Sequence, residues 1–109
     1  MSVTFRALAN ATLATGVAAI YSASGVSAQV DDARVTNTSA ATLTVSLWRV
    51  SSGGAPSDAN IVLLAESMPA GASTRLNIAG LTLDAGMELW ASASVGGVAT
   101  LALSGRERG

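Results

Sequence analysis

A chain of 109 residues, half of them hydrophobic, with 12% charged residues and a net charge of −1, has the length of one domain and too much apolar content to stay disordered. It contains neither cysteine nor histidine, which excludes disulfides and thiolate metal sites and removes the commonest general base and metal ligand. Its arginines, at 6, 34, 49, 75, 106 and 108, are scattered, and lysine is absent, so the basic stripe that nucleic acid requires is missing.

Read in chain order, the first segment has two outlines. Arg6, the mostly apolar run from Ala7 to Ile20, and the small residues Ser24-Gly25-Val26-Ser27-Ala28 before Gln29 resemble a secretory signal and its cleavage site. Asn10, Thr12, Thr15 and Gly16 interrupt that run, and it lacks a leucine-rich centre. We therefore read strands at Val3 to Ala9 and Val17 to Ala23 with a turn between them. No run nears the ~18 consecutive apolar residues of a membrane-spanning helix, so no membrane partner is expected.

Ala28 to Asn37 reads as a third strand. From Ala41 to Val50, Leu43, Val45 and Leu47 alternate with Thr42, Thr44, Ser46 and Trp48, the period of a half-buried strand. The breakers from Ser51 to Asp58 then predict a flexible loop over 51–60. Ile61 to Met68 follows as a strand, Pro69 to Ala72 as a turn, Ser73 to Ile78 as a strand, and Asp84-Ala85-Gly86 as a turn. Met87, Leu89, Ala91, Ala93 and Val95 alternate with Glu88, Trp90, Ser92 and Ser94, and Gly96-Gly97 has the chemistry of a tight hairpin returning through Val98 to Leu103. Residues 105–109 read as a solvated tail.

These elements predict an all-β fold over 1–109: a small antiparallel β-sandwich, jelly-roll or immunoglobulin-like, of about eight short strands. Recurrent glycine and β-branched residues leave no room for a long helix. With Ala, Val and Leu supplying the apolar share, two sheets packed about 10 Å apart suit the composition.

Little catalytic chemistry is available. Asp31-Asp32 is the only adjacent acidic pair, and neighbouring strand residues point to opposite faces, so a solvated pair or an ion pair with Arg34 is the expectation. Serine has no base to activate it. Gly53-Gly54 and Gly96-Gly97 lack the lysine and helix start of a phosphate cradle. The reading is of a non-enzyme with no cofactor and no metal. Trp48 and Trp90 lie opposite the Leu/Val stripes of their strands, either covering the sheet or anchoring an interface, where tryptophan is enriched. Arg106 and Arg108 are further candidates, through a tail reaching a neighbouring subunit.

The order of Tyr21-Ser22-Ala23-Ser24-Gly25, Val35-Thr36-Asn37-Thr38, Leu81-Thr82-Leu83-Asp84-Ala85-Gly86 and Ser104-Gly105-Arg106-Glu107, with a breaker-rich loop between the second and third, resembles small structural proteins encoded beside the head and tail genes of tailed bacteriophages and gene-transfer-agent-like particles. Met87 stands where that pattern commonly has Asp, and Ser24 where it commonly has Pro. The resemblance implies a β-sandwich virion protein, trimeric or otherwise symmetric, on the capsid surface, neck or tail. On that basis we expect a capsid cement or decoration subunit whose partners are its own copies and the major capsid protein. A tail, neck or head-fibre component is the nearest alternative. A secreted carbohydrate- or surface-binding module, with residues 1–28 removed, is the alternative from another class.

Overall fold

The computed structural model describes residues 3–108. Nine strands carry the chain: β1 (Val3–Thr12), β2 (Ala18–Ser22), β3 (Ser27–Asn37), β4 (Leu43–Val50), β5 (Ile61–Met68), β6 (Ser73–Arg75), β7 (Thr82–Leu83), β8 (Glu88–Ala93) and β9 (Ala99–Arg108). Among the described residues there is no α-helix, only a 3-10 turn at Asp58–Asn60, which Ser57 caps by accepting from the Ala59 N–H. The strands form two antiparallel sheets packed as a sandwich. Sheet A is five-stranded, in the order β1-β9-β3-β6 with β7 also on β3; sheet B is four-stranded, in the order β2-β8-β4-β5.

The pairing resolves the connectivity that local sequence left open. β6 and β7 bond the same edge of β3, at Arg34–Thr36 and at Ala28–Gln29, so they are two pieces of one broken strand. β1 then pairs with β9, β2 with β8, β3 with β6 and β7, and β4 with β5. The chain is one long antiparallel ribbon with its tip at the β4–β5 loop, rolled so that β9 meets β3 and β8 meets β4. That is jelly-roll order, not the immunoglobulin-like one.

Alternation placed the core correctly. Leu43, Val45 and Leu47 of β4 and Leu89, Ala91 and Ala93 of β8 face Val30, Ala33, Val35, Leu101 and Leu103 across the sandwich, all buried. Full burial of each leucine or valine contributes about 1.5–3 kcal/mol; among the described residues none of the buried side chains is aromatic, and Tyr21 packs against them partly buried.

Three sequence expectations fail. Gly96-Gly97 does not close a hairpin, because β8 and β9 belong to different sheets; the Gly97 N–H instead donates to the Leu13 carbonyl at 3.1 Å, and the connection crosses the sandwich. The solvated tail is also absent among the described residues. β9 runs to Arg108 between β1 and β3, since two ladders satisfy its backbone on both sides and alternation sends Arg106 and Arg108 outward. Finally, the strand begun at Ser73 ends at Arg75, because Leu76 and Ile78 turn into the core.

The connections fall at two ends. At one, the loops 13–17, 38–42, 69–72 and 94–98 are tied together: Leu13 N–H to Ala99, Ala93 N–H to Ala14, Asn37 N–H to Ala72 and Thr38 N–H to Val98, each within 2.8–2.9 Å. Asn37 is the one buried polar side chain among the described residues. Its Nδ2 donates to the carbonyls of Ala41, Met68 and Pro69, and its Oδ1 accepts from the Ser39 N–H and hydroxyl. The other end holds the loops 23–26, 51–60 and 84–87, the start of β1 and the finish of β9.

Gly105 sits near that second end, buried between Arg6 and Val30. A Cβ there would overlap the Gln29 carbonyl oxygen and press Leu8 Cδ1 at 3.1 Å. Bulges lie alongside in both neighbouring strands, at Ala7/Ala9 in β1 and Val30/Asp32 in β3.

Candidate interaction surfaces

Directly opposed residues of an antiparallel pair share a face, so the register maps the outer surfaces. On sheet B, Trp48 opposes Trp90, Trp90 opposes Ala19 and Trp48 opposes Ile61. The two tryptophans therefore stand side by side at the centre of a row that crosses all four strands. Both are half-buried. The Trp90 Nε1–H donates to Glu88 Oε1 at 3.2 Å, which satisfies the indole without covering it. Ser46 and Ser92 flank the row on one side, and the Ser46 hydroxyl accepts from the Ala65 N–H at 2.9 Å. On the other side Val50 is buried so close beneath the loop that a Cβ on Gly54 would come within 3.3 Å of its Cγ1.

Arg106 and Arg108 lie on the opposite side of the molecule, on the outer face of sheet A. Arg106 belongs to a row of Phe5, Arg106, Gln29 and Thr82, and Arg108 opposes Ser27. The Arg106 guanidinium lies 5.6 Å from the centre of the Phe5 ring, within cation–π range, and its Nη2 donates to Asp31 at 3.0 Å. Its Nε is buried with no partner among the described residues. Phe5 is 72% exposed. Beside this row is a half-open cleft of about 370 Å³ lined by Ser27, Gln29, Thr82, Asp84, Arg106 and Arg108. The four candidate residues thus make two surfaces on opposite faces, Trp48 with Trp90 and Arg106 with Arg108, and not one site.

The Asp31-Asp32 pair differs from expectation in one respect. The bulge between Val30 and Asp32 makes Asp31 an extra residue, so both carboxylates reach arginines of the outer face. Asp31 meets Arg106, while Asp32 holds Arg34 at 3.3 Å and Arg75 at 2.9 Å. These pairs are solvated and contribute little stability. No group of three or more potential metal-ligating side chains occurs among the described residues.

A third polar group escaped sequence reading. Glu107 alternates inward between Arg106 and Arg108 and occupies the gap between the sheets. The Tyr21 hydroxyl donates to its Oε2, and the Arg6 Nη1 donates to its Oε1 at 3.1 Å. Burial, then the hydrogen bond and charge of Glu107, push the Tyr21 phenol well above its ordinary range, against a lowering by Arg6. The phenol is held as a donor. Only the alternation of a strand running through 105–108 would have announced this contact, and the charged ending concealed that strand.

No protein-family model, curated protein or solved structure matches this chain.

Proposed function

We propose that the chain is a structural virion protein of a tailed-phage-like particle: a cement or decoration subunit at the capsid surface that associates with its own copies and with the major capsid protein. The observation that carries this reading is the Trp48–Trp90 pair at the centre of a four-strand row on the outer face of sheet B. Tryptophan concentrates binding energy at interfaces. A rigid sheet presents the pair without ordering cost, and closed symmetry with many copies turns a modest patch into firm attachment. The low charge of the chain and the order of its turn motifs support the same reading. No enzymatic step, cofactor, nucleic acid or membrane enters it.

Light scattering of the purified chain, alone and mixed with particles lacking it, tests this. A closed oligomer such as a trimer that adds back to the shell supports the proposal, and a W48S/W90S variant that still folds should add back at least about tenfold more weakly. A monomer that ignores the particles sinks it. Addition to isolated tails or necks, but not to heads, would move the same protein to the runner-up position as a tail, neck or head-fibre component.

One observation favours a reading from another class. The cleft beside Arg106 keeps Gln29, Thr82, Asp84, Arg106 and Arg108 in a chain cut after Ala28, and these planar and polar groups suit a carbohydrate- or surface-binding module. That reading carries a secretory signal ending at Ala28, whose removal would strip β1 and β2 and expose β9 and β8 as long edges. Mass spectrometry of the natural protein separates the two. A mature chain starting at Gln29 would replace the virion account.

A further inference from the structure

The Leu43, Val45, Leu47 stripe of β4 continues in phase to Arg49, which opposes the buried Leu89. A core-facing position is thus occupied by a cation, at the end of the strand where the two sheets part. The Arg49 Nη1 donates to the Thr82 carbonyl of β7 at 3.1 Å, and none of the ion pairs among the described residues includes Arg49. Around it is a half-open cleft of about 440 Å³ whose lining includes Ile61 and Val62 of β5, Leu81 and Met87 from the opposite side, and Asn60. All are half-buried.

A guanidinium carries five N–H donors in a planar fork matched to a carboxylate. Here one donor meets a carbonyl, and the surroundings combine the aliphatic Ile61, Val62, Leu81 and Met87 with the polar Ser51 and Asn60. A cation partly withdrawn from water beside apolar walls is complemented by an anion that brings its own apolar surface. The cleft also opens beside β5, an edge strand of sheet B, whose outward backbone groups can pair with the main chain of an extended segment. A polypeptide end offers all three features at once: one carboxylate, one side chain and a main chain.

We propose that this cleft receives the carboxy-terminal residue of a partner polypeptide, one with an aliphatic side chain, its terminal carboxylate in the fork of Arg49. The identification of the partner as another protein of the particle rests on the assembly-subunit reading; the chemistry of the cleft does not.

The experiment is an NMR titration of the isotopically labelled full chain with acetyl-Ala-Ala-Leu, with the same peptide as its carboxamide, and with 4-methylpentanoate. The free-acid peptide should shift the amides of Asn60, Leu81 and Met87 saturably. Loss of the carboxylate should weaken binding at least about tenfold, the value of a hydrogen bond to a charged group. R49Q should do the same, and R49K, which keeps the charge but not the fork, should fall between. Thermal unfolding of each variant checks that the fold persists. Equal binding of acid and carboxamide overturns the proposal, as does undiminished binding by folded R49Q. Binding of 4-methylpentanoate as tightly as the peptide also overturns it, in favour of a small-acid site. A chain that adds back to particles yet ignores the peptide loses this inference and keeps the proposed function. A chain that takes the peptide but ignores particles does the reverse.

Discussion

Around Asn37 the sandwich closes through backbone carbonyls and amides, whereas around Glu107 it closes through long side chains that meet across the gap between the sheets. The first end leaves both the nitrogen and the oxygen of the Asn37 amide partnered. The second holds the Tyr21–Glu107–Arg6 contacts, the cleft beside Arg106 and the cleft beside Arg49. A jelly roll gains rigidity where its loops bond one another, and it gains recognition chemistry where they stay apart. Here the bonded loops and the two clefts lie at opposite ends.

Gly105→Ala should have the largest effect, although it lies toward the open end. Overlap with the Gln29 carbonyl in the middle of sheet A cannot be relieved by a side-chain rotation, so a loss of about 4 kcal/mol or a failure to fold is expected. A folded G105A variant with an unchanged denaturation midpoint would mean that the β3–β9 register is wrong. Next comes Asn37→Ala, which leaves three carbonyls and the Ser39 N–H short of a partner at the bonded end. About 3 kcal/mol should disappear in chemical denaturation. N37D should not rescue it, since a carboxylate cannot donate to those carbonyls.

Tyr21→Phe tests the open end more gently. Glu107 keeps Arg6, so about 1 kcal/mol is expected, and a loss equal to that of N37A would erase the distinction between the ends. The sign of its pH dependence is fixed. The folded phenol titrates above its unfolded value of about 10, so the contribution is complete below pH ~10 and declines as pH rises beyond it. Denaturation at pH 8 and pH 11 should show a drop that is larger in the natural chain than in Y21F.

The sequence disclosed what depends on neighbours a few residues away. Alternation identified the buried faces of β4 and β8, and Pro69, Asp84 and Gly86 marked turns that the structure contains. It could not disclose pairing. Gly96-Gly97 has good hairpin chemistry, yet whether a turn reverses within one sheet or crosses to the other is decided by Leu13 and Ala14, in the loop after β1 some eighty residues upstream, bonding to both flanks of the connection. Arg106-Glu107-Arg108 was hidden by its own charge, because a residue enters the interior only if a partner such as Tyr21 waits there. The tryptophans were placed on the outward face correctly. Their side-by-side placement followed only from the β4–β8 register, and Arg49 broke the alternation rule at the position where the second cleft begins.

The rolled ribbon also sets the order in which the chain can fold. Its tip joins β4 to β5 through the short 51–60 loop, while its open end pairs Val3 with Arg108. Closing a long loop costs more chain entropy and makes for slow folding unless nearer contacts form first. Pairing is therefore expected to advance from the tip outward, with β1 and β9 meeting last. Substitutions at Leu43 or Leu47 should slow folding, and substitutions at Leu8 should chiefly speed unfolding, a split that stopped-flow kinetics reads directly.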